Sequence, residues 1–377
     1  MRILITGGAG FIGSNLALKL FANGHTVTIL DNLSPQIHGK NPDVTSPLYR
    51  SIKANMRFHK GDVANRKDWE NVLGNQDTVV HLAAETGTGQ SMYDIERYNR
   101  VNILGTAILW DILANVNHSV QKVVVASSRA IYGEGKYNCS TDGTVYPVSR
   151  LDIDLRKGDF NIKCPVCGKN AQLLATTEDS KIHPNSIYGF TKQAQEEMSM
   201  IAGKSLKIPV VAFRYQNVYG PGQSLTNPYT GILSIFSTRI KNRNEILVFE
   251  DGHESRDFVF IDDVIEATIL GLEKQEADYQ SFNVGSGERT SVLQVANMLK
   301  EKYNSDIKIS VTGNYRIGDI RDNYADLSKT KALLGFSPRI SFDEGLSRFV
   351  QWVNNQDIVE DNFQSSIDEM KEKGLFN

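Results

Sequence analysis

The first thirty-one residues constrain the fold of this chain more than any other stretch. Ile3, Leu4 and Ile5 form a short apolar run, and Thr6-Gly7-Gly8-Ala9-Gly10-Phe11-Ile12-Gly13 follows at once. A short β-rich run closed by glycine is how a strand buried in a parallel sheet reads. Phe11, Ile12, Leu16, Leu18 and Leu20 then recur at helical spacing up to Gly24, a helix stop, and a second apolar strand over residues 26–30 ends on Asp31. Strand, glycine turn, helix, strand and acid fit within one βαβ unit.

Each residue type has a physical task in such a unit. Gly7 permits the tight turn, Gly10 lets the backbone approach a pyrophosphate, and Gly13 lets the helix sit close on the sheet. The helix start at Phe11 and Ile12 offers unpaired N–H groups and a positive dipole end to that phosphate. Asp31 can accept both ribose hydroxyls of an adenosine and would repel a 2′-phosphate, so NAD is expected rather than NADP, with Asn32 in the same pocket.

The β/α alternation continues. Residues 57–63 read as a third strand ending on Asp62 and Val63, where the acid can meet an adenine amine. Residues 78–84 read as a fourth, with Leu82, Ala83 and Ala84 at its end, where a flat ring can lie. An apolar-periodic helix over 98–115, carrying Asn102, is assigned to the same cofactor site, and a fifth strand over 122–126 runs into Ser127 and Ser128. All these strand ends fall on one edge of an open sheet, where such folds bind ligands. The expectation is an α/β, Rossmann-type doubly wound parallel sheet.

The pattern breaks over residues 134–183, read as an insertion, and returns with a helix opening near Asn185 and a strand over 210–213. We divide the chain into a nucleotide-binding domain (1–221, with 256–280 returning to it), a smaller substrate lobe (222–355) and a polar, acidic tail (356–377) to which sequence assigns at most a helix. Net charge is −3 with scattered basic residues, which leaves no electrostatic footprint for nucleic acid. No apolar run reaches the roughly 18 residues of a membrane span, and the short apolar start belongs to the first strand rather than to a signal peptide.

Three cysteines cannot build a disulfide framework, which points to a reducing cytoplasm. All three lie in the insertion. Cys164-Pro165-Val166-Cys167-Gly168 has the spacing and trailing glycine of a zinc knuckle, and Cys139-Ser140-Thr141-Asp142 repeats the spacing with an acid in the fourth place. Cys139, Asp142, Cys164 and Cys167 are therefore the candidate ligands of a structural zinc, with His183 the rival to Asp142. Such a site would pin a segment too poor in apolar residues to fold alone.

The chemical centre is Tyr188 and Lys192, four residues apart on one helical face, together with Ser128 at a strand end. A phenol near pKa 10 needs roughly 4 kcal/mol of preferential anion stabilisation to act as a base near pH 7. One ammonium about 4 Å away at an effective dielectric near 20 supplies that order of energy. Ser128 can hold the same substrate hydroxyl for proton transfer.

With these residues the chain resembles the extended short-chain dehydrogenases/reductases of the nucleotide-sugar epimerase and dehydratase type, from residue 1 to about 352. Ser128 precedes Ala130-Ile131-Tyr132-Gly133 as the family's catalytic Ser or Thr does. Asn217 matches the asparagine that touches the substrate diphosphate, and Arg256-Asp257-Phe258 matches the motif whose arginine also holds it. Arg316 and Asp319 resemble the late arginine and acid that bind phosphate and nucleotide ribose, and Thr86 is assigned to the substrate as well.

The resemblance implies a bound NAD that is regenerated in each turnover, and a homodimer through the helices at 98–115 and 186–205. It favours 4-epimerisation through a transient 4-keto sugar. The family's dehydratases carry Asp-Glu where Arg129-Ala130 stand here, and this pair cannot run that elimination. Gly89-Gln90-Ser91-Met92-Tyr93, Leu225-Thr226-Asn227-Pro228-Tyr229-Thr230-Gly231 and the Cys-Pro-Val-Cys-Gly insertion resemble the dTDP-L-rhamnose 4-epimerase type, so the implied substrate is a dTDP-6-deoxyhexose. Gln216, where the family has Phe, departs from the pattern in the sugar pocket. A UDP- or GDP-sugar epimerase, a reductase or decarboxylase of the same family, and a non-catalytic dinucleotide sensor are the alternatives.

Overall fold

The computed structural model describes residues 1–377 except Pro228 and Thr230, so those two positions of the 225–231 motif lie outside the described residues. Seven parallel strands form its centre: β1 (Arg2–Thr6), β2 (Thr26–Asp31), β3 (Arg57–Lys60), β4 (Thr78–His81), β5 (Lys122–Ser128), β6 (Val210–Tyr215) and β7 (Gln280–Val284). Their order is β3-β2-β1-β4-β5-β6-β7. The order reverses between β1 and β4, which makes the carboxyl ends of these two strands the switch point where a ligand crevice opens.

The middle strands read as unbroken apolar runs because both faces are covered. Ile3, Leu4 and Ile5 of β1 and Val123, Val124 and Val125 of β5 are fully buried. On one face Trp69, Leu109, Trp110 and Leu113 pack over Leu4, Val79 and Val123. On the other, α1 (Phe11–Ala22) supplies Leu16, Ala17 and Leu20 to a core that continues through Phe213, Val264 and Ile265 to Ile246, Val295 and Phe349. One apolar core therefore joins the sheet to the smaller lobe.

Three further helices position the site. α2 (Gly105–Asn115) and α3 (Ile187–Leu206) lie side by side, with the Trp110 indole N–H donating to Ser199 Oγ at 3.0 Å. α4 (Ile261–Glu273) packs against α1, β5 and β6. The helix expected over 98–115 forms as a continuous run but is not uniform: an α turn, Ile95–Tyr98, passes into a wide π turn, Asn99–Leu104, before α2 begins. The wide turn carries the fully buried Asn102, whose amide donates to Thr191 Oγ1 (2.9 Å) and Glu85 O (3.1 Å) and accepts from Glu85 N–H (2.8 Å). Reaching both a neighbouring loop and α3 from one helix turn is what widens it.

The insertion is an ordered hairpin module. Tyr137–Cys139 pairs antiparallel with both Gly143–Val145 and Gln172–Leu173 around a small core of Tyr137, Cys139, Val145, Ile162 and Cys164. The C-terminal tail is also docked. Its helix, Phe363–Glu372, buries Phe363, Ile367 and Met370 with Phe376 against Phe249 and Ile235. Tyr315 and Asn377 exchange backbone hydrogen bonds at 2.9 and 3.1 Å.

Candidate active site

A cleft of about 1310 Å³ opens along the carboxyl edge of the sheet. That exceeds the roughly 300–1,000 Å³ of a pocket for one drug-sized ligand, so a dinucleotide and a second ligand fit together. One wall is the glycine turn. Gly7 has φ +68°, and a Cβ there would stand 2.8 Å from Ala83 Cα. A Cβ on Gly13 would stand 2.3 Å from the Gly7 carbonyl oxygen, so only glycine lets α1 sit this close to β1. At Gly10 a Cβ would meet only the Gly7 carbonyl oxygen, at 3.2 Å, and otherwise open space. The first hydrogen bond of α1 runs from Ser14 N–H to Gly10 O, which leaves the N–H groups of Phe11, Ile12 and Gly13 free for an anion.

Asp31 closes this wall. It is buried, and its carboxylate accepts from Ala9 N–H at 2.9 Å and Leu33 N–H at 2.8 Å. Two lone-pair directions remain for ribose hydroxyls. Burial raises its pKa, with Leu33 N–H and the nearby His38, 3.8 Å away, acting against the shift. Asn32, Val63, Leu82, Ala83, Ala84 and Thr86 line the same cleft. Asp62 and Asn102 do not. The Asp62 carboxylate turns back to Ala64 N–H (2.8 Å) and lies 3.6 Å from Arg100, and Asn102 spends its amide on Glu85 and Thr191. Ser127 Oγ and both polar atoms of Gln216 are buried at the cleft without a partner among the described residues. Orphaned groups of this kind fit a polar ligand.

Ser128, Tyr188 and Lys192 come to one cleft where α3 meets the end of β5. Ser186 caps α3 by accepting from Gly189 N–H at 3.1 Å, and Ser91 Oγ accepts from Tyr188 N–H at 3.0 Å. A Cβ on Gly189 would stand 2.6 Å from the Ala130 carbonyl oxygen, so glycine there brings Tyr188 against the turn that follows Ser128. Burial raises the Tyr188 pKa, and the Ser128 hydrogen bond and the Arg129 charge oppose it. Lys192 Nζ donates to Ala126 O at 2.9 Å, and burial pushes the ammonium down to about 7. Arg129, which sequence reasoning used only to exclude a dehydratase, is thus a positive group that favours the phenolate. Lys192, the expected partner, lines the same cleft and keeps two further donors beyond its bond to Ala126 O.

The opposite wall is cationic. Parallel pairing of Asn217–Tyr219 with Phe258–Phe260 brings Asn217 beside Arg256, and the Arg129 Nε–H donates to Asn217 Oδ1 at 3.1 Å. Arg256 donates to Ser255 O, Arg321 O and Ile320 O at 2.8–2.9 Å and lies 3.8 Å from Asp319. Arg316 stacks on Phe249, 4.9 Å from the ring centre, with its buried Nε unpartnered among the described residues. Burial and the neighbouring Arg256 charge lower the pKa of Arg129 to about 10. Burial likewise lowers Arg316, and Arg256 again adds to the effect. Three guanidinium groups facing one cleft with Asp319 as the near carboxylate make a receptor for a multiply charged anion such as a diphosphate.

A second cluster lies in the insertion. Ligand atoms of Cys139, Asp142, Cys164 and Cys167 all lie within 4.8 Å of one another. His183 stays apart, its Nε2 and Nδ1 on the carbonyls of Pro147 (3.0 Å) and Lys181 (3.1 Å).

Comparison with known proteins agrees with this geometry. The sequence profile of the NAD dependent epimerase/dehydratase family matches residues 3–151 and 164–285. A dTDP-L-rhamnose 4-epimerase from Burkholderia thailandensis is 37% identical over 93% of this chain and 94% of its own length. A putative UDP-glucose 4-epimerase from Methanocaldococcus jannaschii is 28% identical over 94% and 98%. Among solved structures, UDP-glucose 4-epimerase of Thermotoga maritima with UDP-glucose superimposes with a TM-score of 0.76 at 29% identity, covering 94% of this chain and 99% of that one. UDP-glucuronic acid 4-epimerase of Bacillus cereus, in complex with UDP-glucuronic acid and NAD, gives 0.75 at 26% identity over 94% and 99%. The glycine turn, the Ser-Tyr-Lys centre and these matches together show that the chain belongs to the NAD-dependent epimerase/dehydratase family.

Proposed function

We propose that this protein is a nucleotide-sugar 4-epimerase working through a transient 4-keto sugar with tightly held NAD, and that its substrate is a dTDP-6-deoxyhexose such as dTDP-L-rhamnose. The observation that carries the reading is the union of Tyr188, Ser128 and Lys192 with an arginine wall in one cleft. The identity of the Burkholderia relative supports the sugar, and UDP-sugar epimerases at lower identity are the alternative.

Gly7, Gly10, Gly13, Phe11, Ile12 and Asp31 would hold NAD, which when bound supplies a hydride acceptor and donor at the sugar's C4. Arg256, Arg316 and Asn217 grip the diphosphate and leave the sugar free to turn, as inversion at C4 requires. Tyr188, ionised, takes the C4 hydroxyl proton and later returns it, while Ser128 orients that hydroxyl and Arg129 favours the phenolate. Gln216 offers its amide to the sugar where a Phe would offer none. Incubation with dTDP-, UDP- and GDP-sugars, with product stereochemistry read by NMR, tests the reading. Inversion of a dTDP-6-deoxyhexose at C4 is expected, and turnover of UDP- or GDP-sugars alone would overturn the substrate.

The same reading includes a homodimer, a cytoplasmic location and a structural zinc on Cys139, Asp142, Cys164 and Cys167. Leu104, Phe190 and Ile201 are exposed on the helices the dimer would use, and sedimentation at micromolar concentration tests it. No helix among the described residues is long and apolar enough to cross a membrane. Three cysteines with no disulfide between them support a reducing compartment, and fractionation of cells checks it.

A further inference from the structure

The contacts of the insertion converge on residues 315–326, the segment that carries Arg316 and Asp319. Among the described residues this segment holds no helix or extended strand, only isolated bridges. Its place is set from outside. Arg150 of the insertion grips Glu250 with two hydrogen bonds (2.7 and 2.8 Å), donates to Asp319 O at 3.1 Å, and lies 3.7 Å from Glu134. Glu134 in turn accepts from Arg321 N–H at 2.8 Å. Thr176 exchanges backbone bonds with Tyr324 and Asp326, each 2.9 Å, and Asp152 accepts from Tyr315 Oη at 2.6 Å. The carbonyls of Ile320 and Arg321 then fix the Arg256 guanidinium.

The module making these contacts is too small to stand unaided. Its strands are two or three residues long, and two of its five buried core side chains are cysteines. Those cysteines belong to the converging cluster. Cys139 Sγ lies 3.5 Å from Cys167 Sγ, and Asp142 Oδ2 lies 3.3 Å from Cys139 Sγ and 3.2 Å from Cys164 Sγ. Around a tetrahedral zinc with Zn–S near 2.3 Å, sulfurs stand roughly 3.8 Å apart and sulfur–oxygen pairs somewhat closer. These three pairs already have the needed spacing to within tenths of an ångström, and the whole cluster, within 4.8 Å, closes with a shift of at most about 1 Å. Thr141 N–H and Val166 N–H point at Cys139 Sγ and Cys164 Sγ (3.4 Å each), the backbone donation that zinc-bound thiolates receive.

We propose that the zinc is the first link of a support for diphosphate recognition, running through Arg150 and Glu134 to residues 319–326 and from their carbonyls to Arg256. The proposal rests on the zinc assignment, and the two can fail separately. Full-length protein purified without a metal-affinity tag is assayed for zinc. Amide exchange is then followed by mass spectrometry before and after chelation, with calorimetry of thymidine and uridine diphosphates and of NAD. About one zinc per chain is expected. Removing it should speed exchange over 319–326 about tenfold and weaken diphosphate binding by a similar factor, with NAD affinity and exchange in residues 2–31 unchanged.

Two variants keep the test independent of folding. Arg150→Lys keeps the charge but cannot form the two-pronged Glu250 contact and the Asp319 bond together, so it should retain zinc yet loosen 319–326. Asp142→Cys supplies a fourth thiolate and should retain both zinc and the protected loop. Zinc loss with unchanged exchange over 319–326 would overturn the support while leaving the zinc assignment standing. Wild-type protein without zinc would overturn both.

Discussion

The two walls of the cleft are built by different means. The glycine wall comes from one contiguous stretch and from neighbouring strand ends, its positions set by the parallel ladder of β1, β2 and β4. The arginine wall is gathered from Arg129, Asn217, Arg256 and Arg316, side chains far apart in sequence and held by one another, by backbone carbonyls and by the Phe249 ring. The first wall is backbone fixed by the sheet, whereas the second is side chains on loops, and loops fixed by side-chain contacts can change without disturbing the sheet.

The largest expected effect lies where the walls meet. Tyr188→Phe should lower kcat by about 10³-fold or more while leaving bound NAD and substrate affinity in place, because it removes only the proton acceptor. Ordinary turnover by this variant would defeat the mechanism. On the arginine wall alone, Arg316→Met should raise KM about 10–100-fold, as loss of a charged hydrogen bond does, with NAD content unchanged. A parallel loss of NAD would mean the walls are not separable.

On the glycine wall, Asp31→Ala should weaken NAD about tenfold and narrow its advantage over NADP, read by titration of cofactor-free protein. A wild type preferring NADP would contradict the ribose argument. The smallest effect is a shift of a pH profile. Arg129 lowers the Tyr188 pKa, so Arg129→Met should raise it and move the rising limb of kcat/KM to higher pH. A shift to lower pH, or none, would show that the guanidinium does not act on the phenol.

The difference between the walls also explains what sequence reveals. The first βαβ unit, its glycines and the Tyr188–Lys192 spacing are legible because local periodicity and the turn requirement fix them within about thirty residues. The role of Arg129 is not legible, since its neighbours Asn217, Arg256 and Tyr188 arrive through long-range packing. Nor is the wide turn at Asn99–Leu104, whose cause is a tertiary contact of Asn102. The tail is an intermediate case. Phe363, Ile367 and Met370 recur at helical spacing and mark an apolar face, but nothing local names the Phe249 surface that covers it. The spacing of Cys139, Asp142, Cys164 and Cys167 is legible and the four do converge, while the insertion's contact through Arg150 to Asp319 emerges only in three dimensions.

The central claim is that Tyr188 and its neighbours serve a reversible oxidation at C4, with both walls holding their ligands throughout. A nucleotide sugar carrying deuterium at C4, incubated with the enzyme as purified and no added cofactor, tests this most directly. The claim requires the C4-inverted product to keep its deuterium at C4, with no label in water and no net NADH. Inversion with the label washed into solvent, or accumulation of NADH with a keto sugar as the final product, would contradict it.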